Sequence, residues 1–178
     1  MVKILERLPK TIVIGASGFL GKGFLTAQRN VHPDCIGTTR NSTGINPGYL
    51  DLSSPNIASL KLAETGCQQA LILAGISKIS KCQQEKEFTR KINVEGTLSI
   101  IQQLVNEGIK PIFTSSDCVF DGYSGNYQDD ATPHPLNEYG LQKAEVESRM
   151  AEMCDGKYLV IRLSKIFSVE KGDGTLLD

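Results

Sequence analysis

The chain has 178 residues, a net charge of −1, and is 40% hydrophobic and 22% charged. That length suits one well-cored domain, and the balance excludes a disordered acidic tail and gives no electrostatic footprint for nucleic acid, so small-molecule partners are expected. The N-terminal "MVKILERLPKTIVIGASG" lacks the apolar stretch of a signal peptide and no run matches the roughly 18 apolar residues of a membrane span, which predicts a soluble, cytoplasmic protein that does not engage a membrane.

The first predicted element is "TIVIGA" (11–16), a β-branched apolar run ending in glycine, which suits a strand buried on both faces of a parallel sheet. A helix follows over 20–29. "CIGTTR" (35–40) reads as a second strand, "YLDL" (49–52) as a short third and "ALILAG" (70–75) as a fourth. A long helical pattern over 85–107 offers Phe88, Ile92, Leu98, Ile101, Leu104 and Val105 as its buried stripe. "KPIFTSS" (110–116) is a fifth strand. A loop rich in Gly, Asp, Asn and Pro spans 121–137, a helix 137–153, and "KYLVIRLSKIF" (157–167) is a sixth strand.

Strands alternating with helices imply βαβ crossovers, hence an α/β fold. The expectation is a doubly wound parallel sheet, Rossmann-like, in three α/β/α layers, as a single domain over 1–178. Ligands of such sheets bind outside the carboxyl ends of the strands, where Gly15, Arg40, Gly75 and Ser116 fall. The five cysteines, Cys35, Cys67, Cys82, Cys118 and Cys154, are an odd number without a CxxC pair, and only His32 and His134 accompany them. That pattern fits a reducing compartment and no metal site.

"GASGFLG" spaces Gly15, Gly18 and Gly21 by three, directly after the first strand and into the first helix. The spacing permits a tight turn and close approach of backbone to a pyrophosphate, whose charge the helix N-terminus favours. The strand-turn-helix context points to dinucleotide binding rather than to a plain glycine turn. Strand two ends in "TTRNS", with Arg40 and no acid, which favours NADP over NAD, since an arginine accommodates a 2′-phosphate; the alternative is an exposed loop arginine.

Tyr139 and Lys143 are four apart on a helix and share a face. A tyrosine titrates near 10, so a fixed cation that favours the phenolate would ready it for proton transfer; the bland reading is a contact on an exposed face. Ser116, at the end of strand five, can donate to a substrate carbonyl, and Asn93, inside the long helix, can hold a water or kink the backbone. Taken alone, Ser116 could be a turn former and Asn93 a solvent-facing helix residue.

"GASGFLG", "NVEGT" (93–97), "SSDCVFDG" (115–122), "YGLQK" (139–143) and "IRLSKIF" (161–167), in this order, resemble the extended short-chain dehydrogenase/reductase superfamily. Within it the likeness is to the dTDP-4-dehydrorhamnose reductase group of nucleotide-sugar enzymes. The resemblance implies that Gly15, Ser17, Gly18, Phe19, Leu20 and Gly21 form the pyrophosphate loop and that Arg40 selects the cofactor. It also implies that Asp51 and Leu52 contact the adenine, and that Ala74 and Gly75 pass the ribose. Ser116, Tyr139 and Lys143 match the catalytic triad, Asn93 its helical companion, and Asp117, Val119 and Phe120 the substrate and nicotinamide side. The implied reaction is hydride transfer from NADP or NAD to a keto group of a nucleotide sugar, with Tyr139 supplying the proton.

The chain departs from the group at Cys118, where an aromatic residue is common; a buried, inert thiol is the expected role. It also stops at "GDGTLLD" (172–178), which implies a truncated or shortened chain lacking most of the C-terminal substrate lobe. Two other functions stay open: an epimerase or dehydratase of the same superfamily with tightly held NAD, and a non-catalytic dinucleotide-binding regulatory protein. The likeness implies homodimers through the long helices, although packing on its own sheet also explains the stripe on 85–107.

Overall fold

The run Thr11–Ile14 is buried at every position and forms β1. In the computed structural model, which describes residues 8–40 and 47–167, β1 lies in the interior of a sheet between two parallel neighbours. The strands are β2 (Gly37–Thr39), β3 (Pro47–Tyr49), β4 (Gln69–Ile72), β5 (Lys110–Ser116) and β6 (Leu159–Leu163). Their order in space is β3-β2-β1-β4-β5-β6, and every pairing is parallel. This is the expected Rossmann-like sheet, flanked by helices, with its strand ends carrying the ligand-facing loops. The chain end at 172–178 lies outside the described residues.

The helices are α1 (Phe19–Arg29), α2 (Leu62–Thr65), α3 (Ile79–Gln84), α4 (Lys86–Arg90), α5 (Thr97–Asn106) and α6 (Glu138–Met153). Between α4 and α5 the backbone is a π-helix, Lys91–Gly96. The expected helix over 85–107 is thus three segments, preceded by α3, which the apolar pattern did not reveal. Ile92, Leu98, Ile101 and Leu104 are buried as expected, and Val105 packs against the core. Phe88 is instead 47% exposed, with the Lys81 ammonium 5.3 Å from its ring centre. The wider π turn changes the angular register, so a stripe projected at 3.6 residues per turn misplaces residues before it.

The third strand also sits earlier than expected, at Pro47–Tyr49, which leaves Leu50, Asp51 and Leu52 on the loop after its carboxyl end. That shift carries Asp51 and Leu52 to the ligand side.

One core joins these layers: Ile12, Ile14 and Ile72 from the sheet, Ile100, Ile101 and Leu104 from α5, and Val146 and Met150 from α6. Each such side chain contributes roughly 1.5–3 kcal/mol on burial. At the N-terminus of α6, Asn137 caps the helix by accepting from the Gly140 N–H at 2.9 Å. Gly140 meets the turn after β5 so closely that an added Cβ would lie 2.1 Å from the Cys118 carbonyl oxygen.

Glycine to alanine in a helix ordinarily stabilises by up to about 1 kcal/mol. At Gly140 the clash reverses the sign: Gly140→Ala is expected to cost about 2 kcal/mol through forced backbone shifts, lowering the melting temperature by roughly 4–8 °C for a chain of this size. Thermal denaturation of the two proteins checks this.

Candidate functional site

Two adjoining clefts open along the carboxyl edge of the sheet. The first, of about 300 Å³, is lined by Gly15, Ser17, Gly18, Arg40, Asp51 and Leu52, with Ala74 and Gly75 on its far wall. The second, of about 650 Å³, takes in Phe19, Leu20 and Gly21, and then Ser116, Asp117, Cys118, Tyr139 and Lys143. Gly15, Gly18 and Gly75 line both. The glycine loop is therefore the ridge where the clefts meet.

The loop is built by close approach. Gly15 has φ +93°, open to glycine and strained for other residues, and an added Cβ there would lie 2.7 Å from the Ala74 nitrogen. At Gly21 a Cβ would lie 2.1 Å from the Gly15 carbonyl oxygen. Gly18 differs: a Cβ would meet only the Gly15 oxygen, at 3.4 Å, so its outer side is open. Gly18 is also the N-cap of α1, and no side chain caps the helix. Free helix N–H groups beside an open backbone form an anion cradle, and these residues fit the diphosphate of a dinucleotide.

On the wall of the first cleft, Thr39 Oγ1 donates to Ser17 Oγ at 3.2 Å, and exposed Arg40 follows at the end of β2. The Asp51 carboxyl is held below its usual range, first by the Ser53 N–H at 2.8 Å, with Arg40 adding to the effect. An arginine beside hydroxyl groups suits a phosphate ester. No group of potential metal ligands exists among the described residues.

In the second cleft, Lys143 Nζ donates to the Thr114 carbonyl at 2.7 Å and lies 4.4 Å from the Phe113 ring centre and 5.7 Å from that of Tyr139. Burial pushes the Lys143 ammonium down to about 8. Burial, with the neighbouring Cys118, Cys82 and Asp117, pushes the Tyr139 phenol up to about 12. The sequence predicted the opposite, a phenol lowered by its lysine. Desolvation of both groups outweighs their mutual effect here, because the ammonium is turned to a main-chain carbonyl. Ser116 Oγ donates to Asp117 Oδ1 at 3.0 Å and accepts from the Cys118 N–H at 3.2 Å.

Three expected assignments change. Val119 is fully buried and lines neither cleft. Phe120 lies outside both clefts as well, stacked 4.2 Å from the Tyr127 ring with the Arg162 guanidinium 4.9 Å from its centre. The turn Asp117–Val119 is 3-10, which rotates these two residues away and leaves Asp117 in the cleft. Asn93 is buried with its amide committed: Oδ1 accepts from the Ile76 N–H at 2.7 Å, and Nδ2 donates to the Ile76 carbonyl at 2.9 Å and to Gln142 Oε1 at 2.8 Å. It holds the strand-four turn and does not enter the cleft.

Cys118 is also corrected. It is half-buried, lining the second cleft near Tyr139, not an enclosed thiol. Sequence reasoning passed over Ser115 and Gln142. Ser115 Oγ is buried on the wall of the second cleft without a hydrogen-bond partner among the described residues. No periodicity signals such a residue.

The family model of the RmlD substrate binding domain matches residues 9–176. The chain belongs to that family. Within the extended short-chain dehydrogenase/reductase superfamily this is the dTDP-4-dehydrorhamnose reductase group. A hypothetical dTDP-4-dehydrorhamnose reductase from Sulfolobus tokodaii superposes with a TM-score of 0.77 at 30% identity, covering 90% of this chain and 57% of that one. The enzyme of the same name from Bacillus anthracis, in complex with NADP, gives 0.75 at 24% identity over 90% of this chain and 55% of that one. Among curated relatives, methionine adenosyltransferase 2 subunit beta of Xenopus tropicalis is 25% identical over 163 residues, covering 91% of this chain and 48% of that protein. The chain thus spans about half the length of the relatives it matches. Among the described residues no helix is long and apolar enough to cross a membrane.

The titration of Lys143 has a sign that can be checked. Below pH 8 both folded and unfolded states carry the proton, and the burial cost is fully present. Between about 8 and 10.5 the folded state sheds the proton while the unfolded state keeps it, so stability rises with pH. Lys143→Met is therefore expected to melt higher than the parent at neutral pH, with the gain shrinking as pH approaches 10.5. Melting curves across that range test it.

Proposed function

We propose that this chain is the NAD(P)-binding domain of a reductase of the short-chain type, acting on a keto group of a sugar carried by a nucleoside diphosphate. The observation that carries the reading is the meeting of the two clefts at Gly15, Gly18 and Gly75, with Ser116, Tyr139 and Lys143 on the wall of the second.

In this reading, the glycine loop and the α1 N-terminus bind the diphosphate. Arg40 and Ser17 receive a 2′-phosphate, Asp51 and Leu52 border the adenine, and Ala74 and Gly75 border the ribose. A bound nicotinamide dinucleotide supplies the hydride for the carbonyl. Ser116 turns its hydroxyl from Asp117 to the carbonyl oxygen. Tyr139, protonated at neutral pH as an ordinary tyrosine is and held further that way by burial, holds the proton for the developing alkoxide, and Lys143 stabilises the negative charge that forms. Each donor of this kind is worth roughly 3 kcal/mol when removed. Asp117 faces the substrate side.

A second reading is favoured by the relatives named as subunits of methionine adenosyltransferase 2: a dinucleotide-binding regulatory protein that does not turn over a sugar. The chain covers 48% of the Xenopus tropicalis relative and 57% of the Sulfolobus tokodaii reductase, and turnover of a sugar depends on binding energy from groups remote from the reacting carbon.

Calorimetric titration with NADPH and NADH tests the cofactor side. NADPH is expected to bind roughly tenfold tighter, the scale of one charge-assisted hydrogen bond, and Arg40→Ala is expected to erase the difference; equal affinities in the parent would remove Arg40 from this role. For the chemistry, Tyr139→Phe is expected to lower NADPH-dependent reduction of nucleotide-linked keto sugars by at least about 100-fold with nearly unchanged cofactor affinity. A parent that binds NADPH and reduces none of them favours the regulatory reading.

A further inference from the structure

Gln142 is 1% exposed, the one side-chain amide of α6, and the chemistry above does not use it. Burying an amide is costly unless it is bonded, and this one is bonded at both ends. Its Oε1 accepts from Asn93 Nδ2 at 2.8 Å, and its Nε2 donates to Thr89 Oγ1 at 3.0 Å and to Glu138 Oε1 at 3.3 Å. Thr89 Oγ1 in turn donates to the carbonyls of Glu85 and Lys86 in the preceding turn. Asn93 grips both main-chain polar groups of Ile76, with Cys82 Sγ a weaker partner at 3.7 Å.

The amide pair thus joins three separate pieces of chain. Gln142 stands between Tyr139 and Lys143 on α6. Asn93 stands in the π-helix, whose wide turn seats it against the strand-four end. Ile76 follows Gly75, which lines both clefts and has φ +154°, with an added Cβ 3.1 Å from Asn93 Oδ1. A slide or rotation of α6 would break the Gln142–Asn93 bond before it disturbed the apolar contacts further along the helix, because a hydrogen bond tolerates little change in distance or angle.

We infer that Gln142 is a positioning residue that locks the helix bearing Tyr139 and Lys143 to the Gly75–Ile76 turn, so that the cofactor-facing and proton-bearing walls move as one unit. Its bearing on catalysis rests on the function proposed above; its mechanical part does not.

The test compares Gln142→Met, which keeps the length and loses the bonds, with Met150→Ala, a fully buried change on the same helix outside the network. Amide hydrogen exchange is read at Ile76 and at Phe113 in the core strand β5, and NADPH affinity is measured in parallel. Gln142→Met is expected to speed exchange at Ile76 roughly tenfold beyond its effect at Phe113, and to weaken NADPH by a similar factor, the scale of one buried hydrogen bond. Met150→Ala should change both amides in proportion and leave affinity within about twofold. Thr89→Val, milder because it frees only one end of Gln142, should show the same selectivity at smaller size and serves if Gln142→Met does not fold. Proportionate changes at Ile76 and Phe113 in the Gln142 and Thr89 variants overturn the inference. Failure of the parent to bind NADPH would instead sink the proposed function, and the exchange data would still decide the role of Gln142.

Discussion

The contact between Gly140 and the Cys118 carbonyl is the constraint on which the site depends. Backbone meets backbone there, and the missing side chain lets the N-terminus of α6 come down on the turn that ends β5. Tyr139 and Lys143 then share one cleft with Ser116 and Asp117. Similar approaches recur nearby: Gly21 against Gly15, and Gly96 against the Leu52 carbonyl, where an added Cβ would lie 2.0 Å away. Each brings a helix onto a loop at the carboxyl edge of the sheet. The apolar core supplies most of the stability, but these glycines decide where the helix ends stand.

Electrostatics in the cleft follow from that closeness. Packing α6 on β5 desolvates a phenol and an ammonium together, raising one and lowering the other. A phenol raised to about 12 gives up its proton less readily than a free tyrosine, whereas an ammonium brought near 8 gives up its own more readily. The lysine presently spends its donor on the Thr114 carbonyl, between two aromatic rings.

Much of this was legible in the sequence. Gly15, Gly18 and Gly21 announce the loop through their spacing, and the parallel pairing of the sheet follows from the alternation of elements. Fifth-strand bounds matched at Lys110–Ser116, because a β-branched and aromatic run between a glycine turn and a polar loop leaves little choice. What failed has physical causes. The π-helix obeys no 3.6 period, so Phe88 was placed inside when it lies outside. A single 3-10 turn moved Val119 and Phe120 off the cleft wall. Neither Gln142 nor Asn93 could be placed by pattern, since a buried amide is chosen by partners far away in sequence.

The central claim is that one dinucleotide lies across both clefts, over the glycine loop. Amide chemical-shift mapping during titration with NADPH tests it most directly. The account predicts that Gly15, Gly18, Arg40, Gly75 and Cys118 shift together along one saturation curve. Shifts confined to one cleft, or lying elsewhere on the surface, would contradict it.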